Sequence, residues 1–377
     1  MPWQEVSTMS LRHEFVVLAE AKETNMRALC QRFGISPKTG YKWLARYRAA
    51  GVNALVDHSR RPQGSPRRTA SEIESAVVRL RVRHPAWGAR KLRQRLCDMG
   101  QQDLPCPSTF HAILQRHDLI DPAESPKHQA WVRFEHDAPN QLWQMDFKGH
   151  FALVQGRCHA LTVLDDHARF NLCLQACADE RSDTVQQRLT DVLRRYGLPE
   201  RMTMDNGSPW GCSDEAHHYT PLTVWLIRLG IRVSHSRPYH PQTQGKDERF
   251  HRTLNVEVLR GPPFCDLAQC QRRFDDWRDI YNLERPHEAL GMATPASRYQ
   301  PSPRGFPETL PLIEYADGDI VRKVQEKGEI SYLNRAWRIP KALRGYPVAL
   351  RYTPTDGLMD VFFCHQKVAQ INLQDPK

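Results

Sequence analysis

Three acidic residues stand where a carboxylate needs a reason. Asp146 lies inside the apolar run WQMDF, where a buried charge is unfavourable unless it is paired or binds a cation. Asp205 lies in TMDNGSPW, at the end of a short β-prone run where the chain turns at Asn206-Gly207; strand ends at turns are common places for sites in α/β folds. Glu248 falls in the first turns of a helix that follows the turn-forming stretch RPYHPQTQ. Two strand carboxylates and one helix carboxylate can hold a pair of hard divalent cations, which prefer oxygen ligands. Two such ions roughly 3.5–4 Å apart activate a nucleophile on one side of a phosphate and stabilise the leaving oxygen on the other. Taken singly, Asp205-Asn206-Gly207 is also an ordinary turn, and Glu248 an ordinary charge favourable at a helix start. No spacing rule joins two strands and a helix, so the trio is proposed from position and gains weight only in combination.

The elements that must position these acids are legible as alternating strands and helices. WQMDFKGHFAL (143–153), CHALTVLDD (158–166) and FNLCLQACA (170–178) are three β-prone runs joined by turns, the pattern of a meander. An amphipathic helix over Ser182–Tyr196 follows, with Val185, Leu189, Val192 and Leu193 on one face. Then come a strand at 201–205, a helix near Pro221–Leu229, a strand at 231–236, a helix from about Gly245 to Leu259 and another over Asp266–Leu283. Strands interleaved with helices predict an α/β domain with a mixed sheet. QPSPRGFP (300–307) reads as a linker, and the tail from Ile313 to Leu373 as a small all-β unit with turns at Asp317-Gly318 and Asp356-Gly357.

Charge is concentrated ahead of that domain. The chain has a net charge of +10, and residues 1–120, with 20 Lys+Arg against 10 Asp+Glu, carry all of it. A basic head on a neutral body suits nucleic acid, although a basic surface by itself also serves solubility. The head reads as helices around Leu11–Ala19, Met26–Phe33 and Pro37–Ala50, with Gly34 as the turn and Ser36-Pro37 as the cap, which is the form of a helix-turn-helix. Its third helix offers Lys38, Thr39, Lys42 and Arg46 to solvent and keeps Trp43, Leu44 and Tyr47 for packing; in this motif the last helix enters the major groove. Residues 57–70 form a basic linker whose Arg60 and Arg61 either contact phosphates or a minor groove, or belong to a solvated tether. A second helical unit is expected at Ser71–His84, Gly88–Met99 and Pro107–His117, opened by a Ser71-x-x-Glu74 capping box. Its middle helix GARKLRQRL carries Lys91 among three arginines, Arg90, Arg93 and Arg95.

The expected divisions are therefore 1–56 and 71–120 for two DNA-binding units joined by 57–70, 135–300 for the catalytic core and 313–373 for the β unit. The ten cysteines include no CxxC pair at zinc-site spacing. No run approaches the roughly 18 apolar residues of a membrane helix, and MPWQEVSTMSLRHEF has no apolar stretch behind a basic start. The expectation is a soluble, cytoplasmic protein with no membrane partner.

The runs LWQMDFKGHF, LTVLDDHARF, MTMDNGSPW, SRPYHPQTQGKDERFHRTL and YNLERPHEALGMATPASRY resemble the integrase core of bacterial insertion-sequence transposases, relatives of retroviral integrases with a ribonuclease-H-like fold. LCQRFGISPKTGYKWLARYRAAGVNALVDHSRRP and WGARKLRQRL are similar to the helix-turn-helix region of the same group, and the tail resembles the small C-terminal β-barrels of some members. The resemblance implies that Asp146, Asp205 and Glu248 are a DDE triad holding two Mg²⁺ ions, with Mn²⁺ as a substitute. Water would attack at the element's end and the freed 3′-hydroxyl would attack target DNA, without a covalent protein–DNA intermediate. It implies double-stranded DNA as partner, namely terminal inverted repeats and target, a homo-multimer, and a nucleoid-associated place in the cytoplasm. Asn206, His240, Gln244, Lys246, Arg249 and Arg252 then position DNA, with Lys246 and Arg252 at phosphates or on a solvated helix face. Asp165 and Asp166 serve either as a fourth ligand or in a turn behind the site. Asp247 is the alternative third acid, though one helical residue is a rotation of about 100° and the QGKDER frame favours Glu248. His287 in RPHEAL is read as structural. The competing readings are a non-catalytic DNA-binding regulator derived from a transposase and a nuclease for RNA–DNA hybrids.

Overall fold

The computed structural model describes residues 7–57, 69–120, 135–211, 219–235 and 245–375. They fall into two compact units, Met1–Arg68 and Thr69–Lys377.

The first unit holds α1 (Thr8–Ala19), α2 (Met26–Arg32) and α3 (Pro37–Ala50). Each start is capped by a side-chain oxygen on otherwise orphaned backbone N–H groups, from Ser7, Asn25 and Ser36. Phe15, Val16, Leu29, Cys30, Trp43 and Leu55 form the core. Gly40 sits on α3 where the other helices press closest: a Cβ there would lie 2.5 Å from Cys30 Sγ and 2.8 Å from Phe15 Cζ.

The second unit opens with α4 (Ser71–Arg83), α5 (Ala89–Asp98) and α6 (Pro107–Arg116), packed around Trp87, Leu92, Leu96, Phe110 and Ile113. The expected capping box does not form. Ala70 occupies the cap position without a side-chain hydrogen bond. Glu74 turns inward instead, to Arg116 at 3.2 Å and His117 at 2.9 Å, because a guanidinium and an imidazole together compete better for a buried carboxylate than one backbone N–H does.

The central sheet contains β1 (Leu142–Ala152), β2 (Arg157–Asp165), β3 (Asn171–Cys177), β4 (Arg201–Met204) and β5 (Arg232–His235) in the order β3-β2-β1-β4-β5. The first three are an antiparallel meander, whereas β4 pairs parallel with β1 and β5 parallel with β4. Strand alternation divides the core between the two faces. Trp143, Met145, Leu161 and Val163 pack against α7 (Ser182–Tyr196) and α8 (Pro221–Arg228). Ala160, Leu164 and Leu174 pack against α9 (Gly245–Leu254) and α10 (Leu267–Asp279). The two long helices expected at 245–259 and 266–283 each end in a π-helical turn, at Asn255–Leu259 and Ile280–Glu284. The fold is thus a helical head, a mixed α/β core and an all-β tail.

That tail has a four-stranded antiparallel sheet, β11-β10-β9-β6, and a hairpin of β7 and β8. Its strands are β6 (Ile320–Lys323), β7 (Glu329–Tyr332), β8 (Arg335–Arg338), β9 (Pro347–Tyr352), β10 (Leu358–Phe363) and β11 (Gln366–Asn372). Gln366 covers the outer edge of β5, bonding both the N–H and the C=O of Val233 at 2.8 Å; an open sheet edge is thereby closed.

Candidate active site

Asp146 sits mid-strand on β1, half-buried, on the face that meets α9. Burial pushes its carboxyl up to about 7, with the negative charges of Asp205, Glu180 and Glu248 adding to the rise. Asp205 is the exposed residue just beyond β4, and Glu248 is exposed in the first turn of α9. The parallel pairing of β4 with β1 explains why acids far apart in sequence feel one another. The donor set is all carboxylate, which suits a hard divalent cation. Among the described residues no three His, Cys, Asp or Glu side chains converge closely enough to hold an ion.

Strand and helix are tied by a short relay. Thr162 on β2 donates its hydroxyl hydrogen to the carbonyl of Asp146 at 2.9 Å and lies 2.9 Å from His251 Nε2 on α9. A hydroxyl has one hydrogen, so His251 must donate through Nε2–H. Burial holds this imidazole neutral, with its pKa lowered to about 4 and Lys148 nearby adding to the fall. The turn bearing Asp205 is anchored differently. Trp210 is buried, stacks on Phe147 with ring centroids 5.5 Å apart, and donates its N–H to Gly207 O at 2.9 Å. Gly211 closes the same turn, since a Cβ there would lie 2.4 Å from Asn206 O.

Family models match the chain in five segments. They are described as helix-turn-helix domain (residues 12–63), homeodomain-like domain (39–114), integrase core domain (136–241 and again 229–295) and IS481 family transposase, C-terminal domain (319–377). The chain is 25% identical over 263 residues to the insertion element IS476 uncharacterized 39.2 kDa protein of Xanthomonas euvesicatoria, covering 67% of this chain and 72% of that protein. It is 27% identical over 160 residues to the insertion element IS407 uncharacterized 31.7 kDa protein of Burkholderia multivorans, covering 42% of this chain and 55% of that one. The matches place an integrase core domain between helix-turn-helix segments and a C-terminal domain described for IS481 family transposases, and the similar proteins are of insertion elements. Among solved structures it is similar to a chain of the simian T-cell lymphotropic virus intasome in complex with PP2A regulatory subunit B56 gamma. That match has 15% identity and a TM-score of 0.40, over 78% of this chain and 95% of that one. It is also similar to the HTLV-2 integrase catalytic core domain in complex with magnesium, at 15% identity and a TM-score of 0.33 over 44% of this chain and 99% of that one.

The two acids ending β2 divide their work. Asp165 accepts the backbone N–H groups of Asn140 and Ala168, both at 2.7 Å, and so closes a turn. Asp166 is 2% exposed and accepts from Gln144 Nε2 at 2.9 Å, from the His136 N–H at 3.0 Å and from Lys246. Burial alone would raise its carboxyl, but Lys246 and the His136 N–H outweigh it and hold the group below the usual range. Lys246 therefore spends its charge on Asp166. Its neighbour Asp247 is buried on the sheet side of α9, whereas Glu248, Arg249 and Arg252 are exposed.

The other DNA-facing candidates also separate. Lys38 and Lys42 are exposed on α3; Thr39 bonds the Ser36 cap, its hydroxyl at 2.9 Å. Arg12, Lys42 and Arg46 lie over the Trp43 ring at 4.0, 4.6 and 5.0 Å. Lys91 is partly buried, and burial together with Arg285 lowers its pKa to about 8. His287 is buried beside Arg285, whose guanidinium pairs with Glu257 at 3.0 Å. Arg60, Arg61, His240 and Gln244 lie outside the described residues. The sequence reading missed Trp210 and His251. An aromatic residue three positions after Gly207 of the Asp-Asn-Gly turn, and a histidine three positions after Glu248, were the available signals.

Proposed function

We propose that the chain is a DDE transposase, a polynucleotidyl transferase that cleaves the ends of an insertion sequence and joins them to target DNA. The observation that carries this reading is the placement of three acids, on β1, at the end of β4 and at the start of α9, in a core of integrase type. Burial, with the charges of the other acids adding to it, raises the Asp146 carboxyl to about 7. Asp146, Asp205 and Glu248 would hold two Mg²⁺ ions, with Mn²⁺ able to replace them. When bound, the pair supplies activation of water or a 3′-hydroxyl and stabilisation of the leaving oxygen. The Thr162–His251 relay keeps α9 in register with Asp146, and the Trp210 anchor keeps the turn of Asp205 against β1.

The remaining segments take the supporting tasks. Residues 1–56 and 71–120 bind double-stranded DNA at the terminal inverted repeats, with Lys38, Thr39, Lys42 and Arg46 in the major groove. Arg60 and Arg61 in the linker 57–70, and Arg249 and Arg252 beside the acids, contact phosphates, while Lys246 stays on Asp166. The core spans 135–300, and 313–373 forms the closing β domain. Joining two ends to one target needs two active sites, so the working form is a homo-multimer. It acts in the cytoplasm at the nucleoid; no described helix is long and apolar enough to cross a membrane.

Transposition of a marked element with its native flanks tests this reading, with the wild type run against Asp146→Asn, Asp205→Asn and Glu248→Gln. Movement by the wild type alone supports it. Equal movement by a variant removes that acid from the triad. Flank binding without movement by any protein would favour a non-catalytic regulator.

A further inference from the structure

The solvent face of α3 differs from the cationic surface that its basic residues suggest. At about 100° per residue, Lys38, Tyr41, Lys42, Ala45, Arg48 and Ala49 fall within one arc of roughly 120°, and all of them are exposed. Ala45 stands at the middle of that arc. Tyr41 is 58% exposed although its ring is large and mostly apolar. Together with Leu44, Ala45, Arg48 and Ala49 it lines a shallow groove along the helix. Thr39 and Arg46 border the arc on one side and are half-buried, Thr39 against the Ser36 cap and Arg46 over the Trp43 ring. The most forward positions of the helix are therefore apolar, and cations flank them.

The charge of the surroundings says what such a strip meets. Helix α3 carries four cations and no acid. Glu20, at the end of α1, pairs with Arg48 at 3.1 Å and leaves Lys38 and Lys42 unopposed on the forward half. An apolar strip framed by cations complements a major groove, whose walls are lined by phosphates and whose floor presents the C5-methyl of thymine. A second copy of the chain would instead set like charges against one another across the same strip. The small side chain of Ala45 also matters, because a longer one at the centre of the arc would hold the helix away from the base edges.

We infer that Tyr41 and Ala45 read thymine: the C5-methyl of a thymine packs against the Tyr41 ring and the Ala45 methyl, with Lys38 and Lys42 beside them. This rests on the reading of α3 as the helix that enters the major groove, and it gives that helix a preferred base.

The test replaces each thymine of the terminal-repeat duplex in turn by deoxyuridine, which pairs as thymine does and lacks only the methyl group. The affinity of the full chain is followed by fluorescence anisotropy. At one or two positions the replacement should weaken the wild type about fourfold, the worth of one buried methyl-sized group. Tyr41→Ala should bind thymine DNA less tightly and lose its sensitivity at those positions. Tyr41→Phe, which keeps the ring, should behave as the wild type, and Lys42→Ala should weaken thymine and uracil DNA by the same factor. Wild-type sensitivity to uracil in Tyr41→Ala overturns the inference, as does a wild type indifferent at every thymine; reduced affinity in Lys42→Ala would still leave α3 on the duplex. A Tyr41→Ala variant changed only in self-association, measured by sedimentation, assigns the strip to a second copy and overturns the inference too. Wild-type affinity in both Lys38→Ala and Lys42→Ala, beside an unchanged Tyr41→Ala, takes α3 off the duplex and overturns both readings.

Discussion

In the first unit the cations of α1 and α3 gather over one ring, Arg12, Lys42 and Arg46 around Trp43, and Lys38 and Lys42 stay exposed. In the α4–α6 segment the comparable charges run inward. Arg81 donates to the carbonyls of Trp87 and Leu119, Arg93 to that of Pro105, and Arg95 pairs with Glu284 at 2.9 Å in the π turn after α10. Ile280 of the same turn packs on the α4–α6 core. Two basic three-helix segments that read alike in sequence therefore differ in use. One keeps its charges on an independent surface, while the other spends several of them on its own backbone and on the integrase core. A basic residue count measures neither role until each cation's partner is known.

The largest effect should come from breaking the platform on which α4–α6 rests. Glu257 accepts from Arg285 Nε at 3.0 Å and from the Trp277 indole N–H at 2.9 Å, with the Glu257 and Arg285 side chains both 9% exposed. Glu257→Ala strands a buried guanidinium and should cost about 3–5 kcal/mol in denaturant unfolding of the Thr69–Lys377 unit. Arg95→Ala removes a pair exposed at 21% and 27% and should cost only about 0.2–1 kcal/mol. Equal losses would mean that the docking contact, not the buried pair, holds the segment in place.

Acid offers the next discrimination. His251 is buried neutral, its pKa lowered from 6.5 to about 4. Its contribution is therefore complete above pH 6.5 and is lost as pH falls through 4, on the order of 3 kcal/mol at the acid end. Hydrogen exchange on metal-free protein should show α4–α6 loosening together with the sheet over this range, while α1–α3 keep their protection. His251→Gln, which retains an N–H donor for Thr162 without the titration, should remove the acid slope. Protection lost equally in α1–α3 would contradict the division into two units.

Much of this architecture was legible because strand and helix periodicities are local. The meander, the α7 stripe of Val185, Leu189, Val192 and Leu193, and the turn at Asp205 all follow from neighbours within a few residues. What was not legible depends on who else is present. The capping box at Ser71 failed because Arg116 and His117, distant in sequence, claimed Glu74. Lys246 reads as a phosphate ligand on a helix face until Asp166 is found beneath it. The rotation of α9, which buries Asp247 and exposes Glu248, is decided by Phe250 and Leu254 packing on the sheet, a tertiary fact that two adjacent acids cannot announce. The π turns after α9 and α10 likewise carry no signal in apolar spacing.

A smaller, local effect is expected at Gly40. Gly40→Ala places a methyl group against Cys30 Sγ and Phe15 Cζ, an overpacking cost of about 1–3 kcal/mol. Only the α1–α3 transition should shift, with the unfolding of Thr69–Lys377 unchanged. A shift in both transitions would show that the head stabilises the rest of the chain.

The finest test of the comparison is electrostatic. If the exposed cations of α3 meet phosphates, each removal should lessen the slope of log affinity against log salt by about 0.9 for duplex DNA. Lys42→Ala should do this on end-bearing DNA. Lys91→Ala should not, because its ammonium is partly buried beside Arg285, Glu257 and Glu288 and titrates near 8; such a group is held by protein charges and has little counterion atmosphere to exchange. A slope change at Lys91 equal to that at Lys42 would show that α5 presents its charge to DNA after all. The inward arginines of α4–α6 would then be scaffolding for a second reading surface rather than the ties that spend its charge.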